Sequence, residues 1–189
     1  MPLWGATDSD ESKPKFLTDE QKKLVYATKS GWVLENGALT GNDNPNADPE
    51  ILVAIGELAT SIGAADITEI EFITTTAFDV SDGGTLQVRV RFNEEVDVTG
   101  TPQLTVVNDS RANHTLSYAS GTGSNELVFS LTIAAGGGGV IAADDELSIG
   151  ANATALNGGT IKDKGTNTAS TITNVASIGT AAGTITVTA

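Results

Sequence analysis

Residues 85–107 read Thr-Leu-Gln-Val-Arg-Val-Arg-Phe-Asn-Glu-Glu-Val-Asp-Val-Thr-Gly-Thr-Pro-Gln-Leu-Thr-Val-Val. Leu86, Val88, Val90 and Phe92 alternate with Gln87, Arg89, Arg91 and Asn93. Successive side chains leave a pleated strand on opposite faces, so a period of two marks a half-buried strand. Thr99-Gly-Thr-Pro102 then breaks the pattern, and Gln103 to Val107 resumes it as a second strand. Nothing in the stretch has the makings of an active site.

The same grammar extends outward in both directions. Thr68 to Thr74 alternates, with Ile70 and Phe72 set against Glu69, Glu71 and Ile73, and Asp79 to Gly84 is a turn. Beyond the loop 108–113, His114 to Ala119 places Leu116 and Tyr118 on one parity, and Glu126 to Ile133 alternates through Leu127, Phe129 and Leu131. Four consecutive glycines, 136–139, form a loop that no regular element accepts in its interior. Leu147 to Ile149, Gly159 to Ile161 and Gly183 to Thr188 complete the strand candidates. Thr166 to Thr180, rich in Thr, Asn, Ala and Ser, reads as a long surface loop. Seven or more short strands at such spacing predict a mainly β fold, with an antiparallel β-sandwich over 67–189.

Residues 1–66 have a different composition. Lys13, Lys15, Lys22, Lys23 and Lys29, half of all the basic residues, fall within the first 30 positions. The polar stretch around Asp8, Asp10, Glu11, Lys13, Pro14 and Lys15 cannot bury enough surface to offset its ordering entropy, which predicts an extended arm or a strand held by a partner. Thr18, with Gln21 three residues on, has the form of a capping box opening a helix over Asp19 to Tyr26. Trp32 to Leu34 is a brief strand, and Asn42 to Pro49 is a loop dense in turn formers. Glu50 to Ile55 fits strand or short helix on periodicity, and strand is the preferred reading. The chain therefore divides into an N-terminal arm or small module, 1–66, and the sandwich, 67–189.

Composition narrows the chemistry. The 189 residues carry a formal charge of −14, which argues against nucleic acid, since phosphate binding needs clustered Lys and Arg. There is no Cys and a single His, so thiolate chemistry and His-cluster metal sites are excluded. No apolar run approaches the roughly 20 residues that span a bilayer, and the N-terminus lacks the layout of a secretory signal. A soluble chain with no membrane partner is the expectation.

Acidic clusters at Asp79/Asp82, Glu94/Glu95/Asp97 and Asp144/Asp145/Glu146 offer oxygen ligands, but none has the spacing of a calcium loop, and surface carboxylates are expected. His114 is expected to be exposed or on a sheet face rather than catalytic. Asn108-Asp-Ser, Asn113-His-Thr and Asn152-Ala-Thr satisfy the glycosylation pattern by chance in an Asn- and Thr-rich chain. No Lys-Ser/Thr follows the glycine run, so it is not a phosphate loop. The expectation is a non-enzyme with no cofactor and no metal.

Two stretches carry resemblances. Val88 to Val106, followed by Glu126 to Ile133 and Leu156 to Asp163, resembles the immunoglobulin-like repeats of bacterial surface and adhesin proteins, over about residues 67–189. Met1-Pro-Leu-Trp-Gly, with Ser12 to Leu17, Gly31 to Val33 and Pro49 to Ile55, resembles the N-terminal module of small virion structural proteins of marine and cyanobacterial tailed phages. Together they imply a capsid decoration protein. It would be made in the host cytoplasm and carried on the outer surface of the virion, with the major capsid protein and neighbouring copies as partners. Trp4, Lys13, Lys15, Phe16, Tyr26 and Trp32 are the candidate docking residues, because aromatic anchors carry much of the binding energy in interfaces. For Trp4 and Trp32 the alternative is packing on the chain's own core. Other readings are a tail- or fibre-associated module binding host-surface glycans, a weak activity that is also compatible with decoration, and a secreted adhesin fragment.

Overall fold

Residues 84–99 form one 16-residue strand, and the rest of the fold is hung on its two edges. In the computed structural model, residues 13–36, 38, 44, 48–74 and 77–189 are described. The elements in chain order are α1 (Asp19–Lys23), β1 (Val25–Thr28), β2 (Gly31–Leu34), β3 (Glu50–Ala54), β4 (Ile67–Phe72), β5 (Phe78–Asp79) and β6 (Gly84–Thr99). They continue as β7 (Gln103–Asn108), β8 (His114–Ser120), β9 (Ser124–Ile133), β10 (Glu146–Ser148), β11 (Thr154–Ala155), β12 (Thr160–Asp163), α2 (Ala176–Ala181) and β13 (Ile185–Thr188). The protein is mainly β, as the alternation predicts.

Along one edge β6 pairs with β9, from Gly84↔Ile133 to Arg91↔Glu126 and, after a shift in register, Val96↔Ser124. Along its other edge it meets β4, β1 and β12 in turn. Hydrogen-bonded neighbours run β3-β2-β1-β6-β9-β8-β7-β10-β13-β5. Among these described strands pairing is antiparallel except at two junctions, β1 with β6 and β13 with β5. The antiparallel expectation missed both because neither is a hairpin: each joins strands distant in sequence.

The alternation of β6 translates directly into burial. Leu86, Val88, Val90, Phe92 and Val96 enter a core shared with Ile70 and Phe72 of β4, Leu104 and Val106 of β7, Leu116 of β8, Leu127 and Phe129 of β9, Leu147 of β10 and Ile185 and Val187 of β13. Strands from distant points of the path contribute, so the sheet folds back around one interior, as a sandwich does. Phe129 is fully enclosed, with Tyr118 set edge-on at a centroid distance of 6.2 Å.

A second, smaller core belongs to the N-terminal residues: Leu17, Val25, Ala27, Trp32, Leu34, Leu58 and Ile62. Thr18 caps α1, accepting from the Gln21 amide while the Gln21 side chain accepts from the Thr18 amide. The helix is shorter than the expected Asp19 to Tyr26. It stops at Lys23 because Val25 and Tyr26 are drawn into β1, where pairing with β2 and burial outweigh a marginal helix. Lys29 and Ser30 turn β1 into β2, and β3 adds to the outer edge of β2. Gly31 permits that approach: its φ is +132°, and a Cβ there would collide with the Val53 carbonyl. Of the expected extended arm, Lys13 and Pro14 are instead packed against the module; residues 8–12 lie outside the described residues.

The stretch 166–180 is not a free surface loop. Asn174 is buried; its Oδ1 accepts from the Ala153 amide at 2.9 Å and its Nδ2 donates to the Gly150 carbonyl at 3.0 Å. A side-chain amide thus takes the place of ladder hydrogen bonds that this irregular segment lacks. Composition hides this, because Asn is equally at home in a solvated loop.

Candidate functional site

Strand parity puts Arg89 and Arg91 on the face of β6 turned away from the sandwich core. Register then sets Arg91 between Glu69 of β4 and Glu126 of β9, and Arg89 opposite Glu71. Arg91 Nη1 meets Glu69 at 2.6 Å and Glu71 at 2.9 Å, and its Nε meets Glu126 at 2.7 Å. Cross-strand pairs of opposite charge are ordinary on a solvated sheet face. This face, however, is covered, and only 7% of the Arg91 side chain remains exposed.

The cover is the N-terminal module. Glu35, just after β2, approaches Arg91 Nε at 3.4 Å and accepts from Asn125 Nδ2 at 2.7 Å. Lys23 reaches Glu69 at 3.5 Å. Lys13 donates to the Lys22 carbonyl at 2.5 Å and lies within the field of Glu35 and Glu69. Four carboxylates and the cations of Arg89, Arg91, Lys23 and Lys13 thus form the polar seat of the module on the sandwich.

Electrostatics follow from burial. Desolvation, reinforced by the Glu126 charge and partly offset by Arg91, pushes the Glu35 carboxyl up to about 7. Burial lowers Lys13 to about 8, although Glu35 and Glu69 pull the other way. Burial alone would lower Arg91, but the surrounding Glu35, Glu126, Glu69 and Glu71 hold it above its ordinary value. Burial, with Glu95, Glu35 and Glu126 adding to it, raises the Tyr26 phenol to about 12.

Next to this seat, an open cleft of about 560 Å³ separates the module from the sandwich. Tyr26, Val33, Pro49 and Ile51 line its module side, and Glu95 and Lys164, paired at 3.1 Å, its sandwich side. A hollow of about 290 Å³ continues from Tyr26 and Pro49 to Glu35, Asn125 and Glu126.

The candidate docking residues are dispersed. Trp32 is buried in the module's own core, and Tyr26 is buried between that core and the cleft. Their apolar surface is therefore used within the chain, since both faces of the β1–β2 hairpin are covered. Lys13 is part of the charged seat. Lys15 and Phe16 are exposed, and Trp4 lies outside the described residues.

A second polar cluster corrects the expectation for one surface carboxylate. Asp145, expected at the surface, is only 4% exposed, and His114, expected to be exposed or on a sheet face, takes the second of these places, 4% exposed on the inward face of β8. Asn108 Nδ2 donates to Asp145 Oδ2 at 2.9 Å and lies 3.3 Å from His114 Nε2. Ser110 Oγ donates to Asp145 Oδ1 at 2.5 Å, the Ala142 amide to Oδ2 at 3.0 Å, and Arg111 Nε lies 3.2 Å from Oδ2. Hydrogen bonds from Asn108 and Ser110 hold the Asp145 carboxyl down to about 2, and burial lowers His114. These groups pin the β7–β8 loop to the segment before β10; the Ser110 hydroxyl is bonded to the carboxylate rather than to the imidazole. Glu94, also expected at the surface, is 1% exposed beneath the β1–β6 junction. No sequence signal marks these positions except their place on the inward parity of a strand or beside a turn.

No protein-family model, no curated protein and no solved structure matches this chain.

Proposed function

We propose that this chain is a non-enzymatic structural protein of a phage particle, a capsid decoration protein that docks through residues 1–66 and exposes its sandwich outward. The observation that carries the reading is the construction of the N-terminal module. It has its own small core, is seated on the sandwich through the Arg91 cluster, and turns Lys15 and Phe16 to the outside. An exposed aromatic beside a cation on a supported turn suits protein contact. The resemblance of residues 1–5, 12–17, 31–33 and 49–55 to phage virion modules points to the capsid lattice and adjoining copies as what is contacted. Docking only to the assembled shell would stabilise the shell by linkage. The immunoglobulin-like type of the sandwich belongs to the same proposal.

Gold-labelled antibody against the chain, applied to intact particles, tests it. Label spread over the head supports decoration. Label confined to the tail or fibres replaces it with a receptor-binding role, and unlabelled particles remove the virion reading.

A further inference from the structure

The N-terminal module and the sandwich have separate interiors, the small core around Trp32 in the first and the core around Phe92 and Phe129 in the second. Backbone pairing joins them at the β1–β6 junction, where the register holds one pair, Ala27↔Glu94. The open cleft and the hollow beside it run along the same boundary. A core as small as the module's stabilises little by itself, so the module depends on its polar seat. A segment held in this way opens locally at lower cost than the whole molecule unfolds.

Within the seat, Glu35 has the poorest share of positive charge. Arg91 Nε carries one hydrogen, and two carboxylates crowd it, Glu126 at 2.7 Å and Glu35 at 3.4 Å. Nη1 is taken by Glu69 at 2.6 Å and Glu71 at 2.9 Å. Glu35 thus stands farthest from the guanidinium, and its hydrogen bond at 2.7 Å comes from the neutral Asn125 amide. Lys13 of the N-terminal segment, Tyr26 of β1, Arg89 and Arg91 of β6 and Glu126 of β9 face it, with Glu69 and Glu71 of β4 across the guanidinium. Lys23 of α1 is engaged by Glu20 and Glu69. With its side chain 14% exposed, Glu35 is poorly hydrated when charged. A proton on it removes both that desolvation cost and the repulsion by Glu126. The hollow reaches Glu35, Asn125 and Glu126 from outside, so solvent has a way to the carboxyl while the module is closed.

We propose that Glu35 is a proton-operated latch: protonated, it holds the N-terminal module on the sandwich, and ionised, it lets the module open as a unit while the sandwich stays folded. In the closed module the carboxyl titrates at about 7, against an ordinary 4.5 once released. The closed form therefore binds the proton more tightly. Its hold is fullest below 4.5 and is lost as pH rises through 7. Lys13, lowered to about 8, titrates above this window, and Tyr26, raised to about 12, stays neutral throughout it. Opening releases the part of the chain to which docking is assigned above. It is a property of the isolated protein and holds whatever the partner is.

Amide hydrogen exchange of the full chain at pH of about 5 and about 7.5 tests it, with wild type beside Glu35→Gln. The glutamine keeps the shape of the side chain and an oxygen for Asn125 to donate to, and cannot ionise. Comparing the two proteins at one pH cancels the intrinsic exchange rate. At the higher pH, wild-type amides over residues 24–35 should exchange well ahead of those over 86–92 in the sandwich core. The variant should exchange more slowly over 24–35, and its gap from wild type should widen roughly 50-fold between the two pH values. Module and sandwich amides that exchange together at both pH values would overturn the inference, because the module would not then open by itself. So would a gap that stays constant to within a few-fold, because Glu35 would not be the group that titrates.

Discussion

Replacing Arg91 with Met keeps most of the side-chain volume and removes the charge at the centre of the module's seat. Glu69, Glu71 and Glu126 then lose contacts of 2.6, 2.9 and 2.7 Å, and Glu35 loses its nearest cation. Breaking a buried pair by removing one partner costs about 3–5 kcal/mol, because the other charge stays desolvated. Here Arg89 still reaches Glu71 at 3.1 Å and Glu126 at 3.4 Å, and Lys23 reaches Glu69 at 3.5 Å. We therefore expect the lower end, about 3 kcal/mol at pH 8. The loss should shrink at pH 5. Carboxylates deprived of their cation have folded-state pKa values raised above the unfolded ones, so proton uptake favours the folded state as pH falls. Urea unfolding of Arg91→Met and wild type at the two pH values is the assay, with Trp32 in the module's core as the fluorescent reporter. A loss below about 1 kcal/mol at pH 8, the range of exposed pairs, would refute the view that this cluster seats the module.

Glu35→Gln should flatten the pH dependence of stability. With its folded pKa raised to about 7 from an ordinary 4.5, Glu35 favours the folded state below 4.5, and that contribution is lost as pH rises through 7; urea midpoints of the wild type and of Glu35→Gln that run parallel across that window would contradict it. Gly31→Ala should loosen β3 from β2, since the new Cβ meets the Val53 carbonyl at a strained φ; hydrogen exchange of the Ile55 amide, bonded to the Ser30 carbonyl, reports it directly. Phe129→Ala should cost about 3–5 kcal/mol by opening a cavity in the sandwich core, read as a lowered urea midpoint with no recovery at any pH.

How much of this could be read in advance depends on the range of the forces involved. The strands 84–99 and 124–133 were legible because a period of two records which face is buried, and the Thr18–Gln21 box was legible because capping is local. Arg91 was not. Its alternation marks it as solvent-facing, and it becomes buried only because Glu35 and Asn125, 56 and 34 positions away, are folded over it. Trp32 was ambiguous for the converse reason: an aromatic in a four-residue strand fits an interface and an interior equally well. His114, Asp145 and Asn174 illustrate the same limit, since each is a turn-type polar residue whose burial depends on partners brought from another loop.

The central claim is that residues 1–66 hold this protein on a capsid lattice. Electron cryomicroscopy of intact particles at a resolution that traces β-strands tests it most directly. The account predicts ordered density for this chain at equivalent positions over the head, with the N-terminal module against the shell and the sandwich outermost. A head surface bare of the chain, or density in which the sandwich alone contacts the shell, would contradict it.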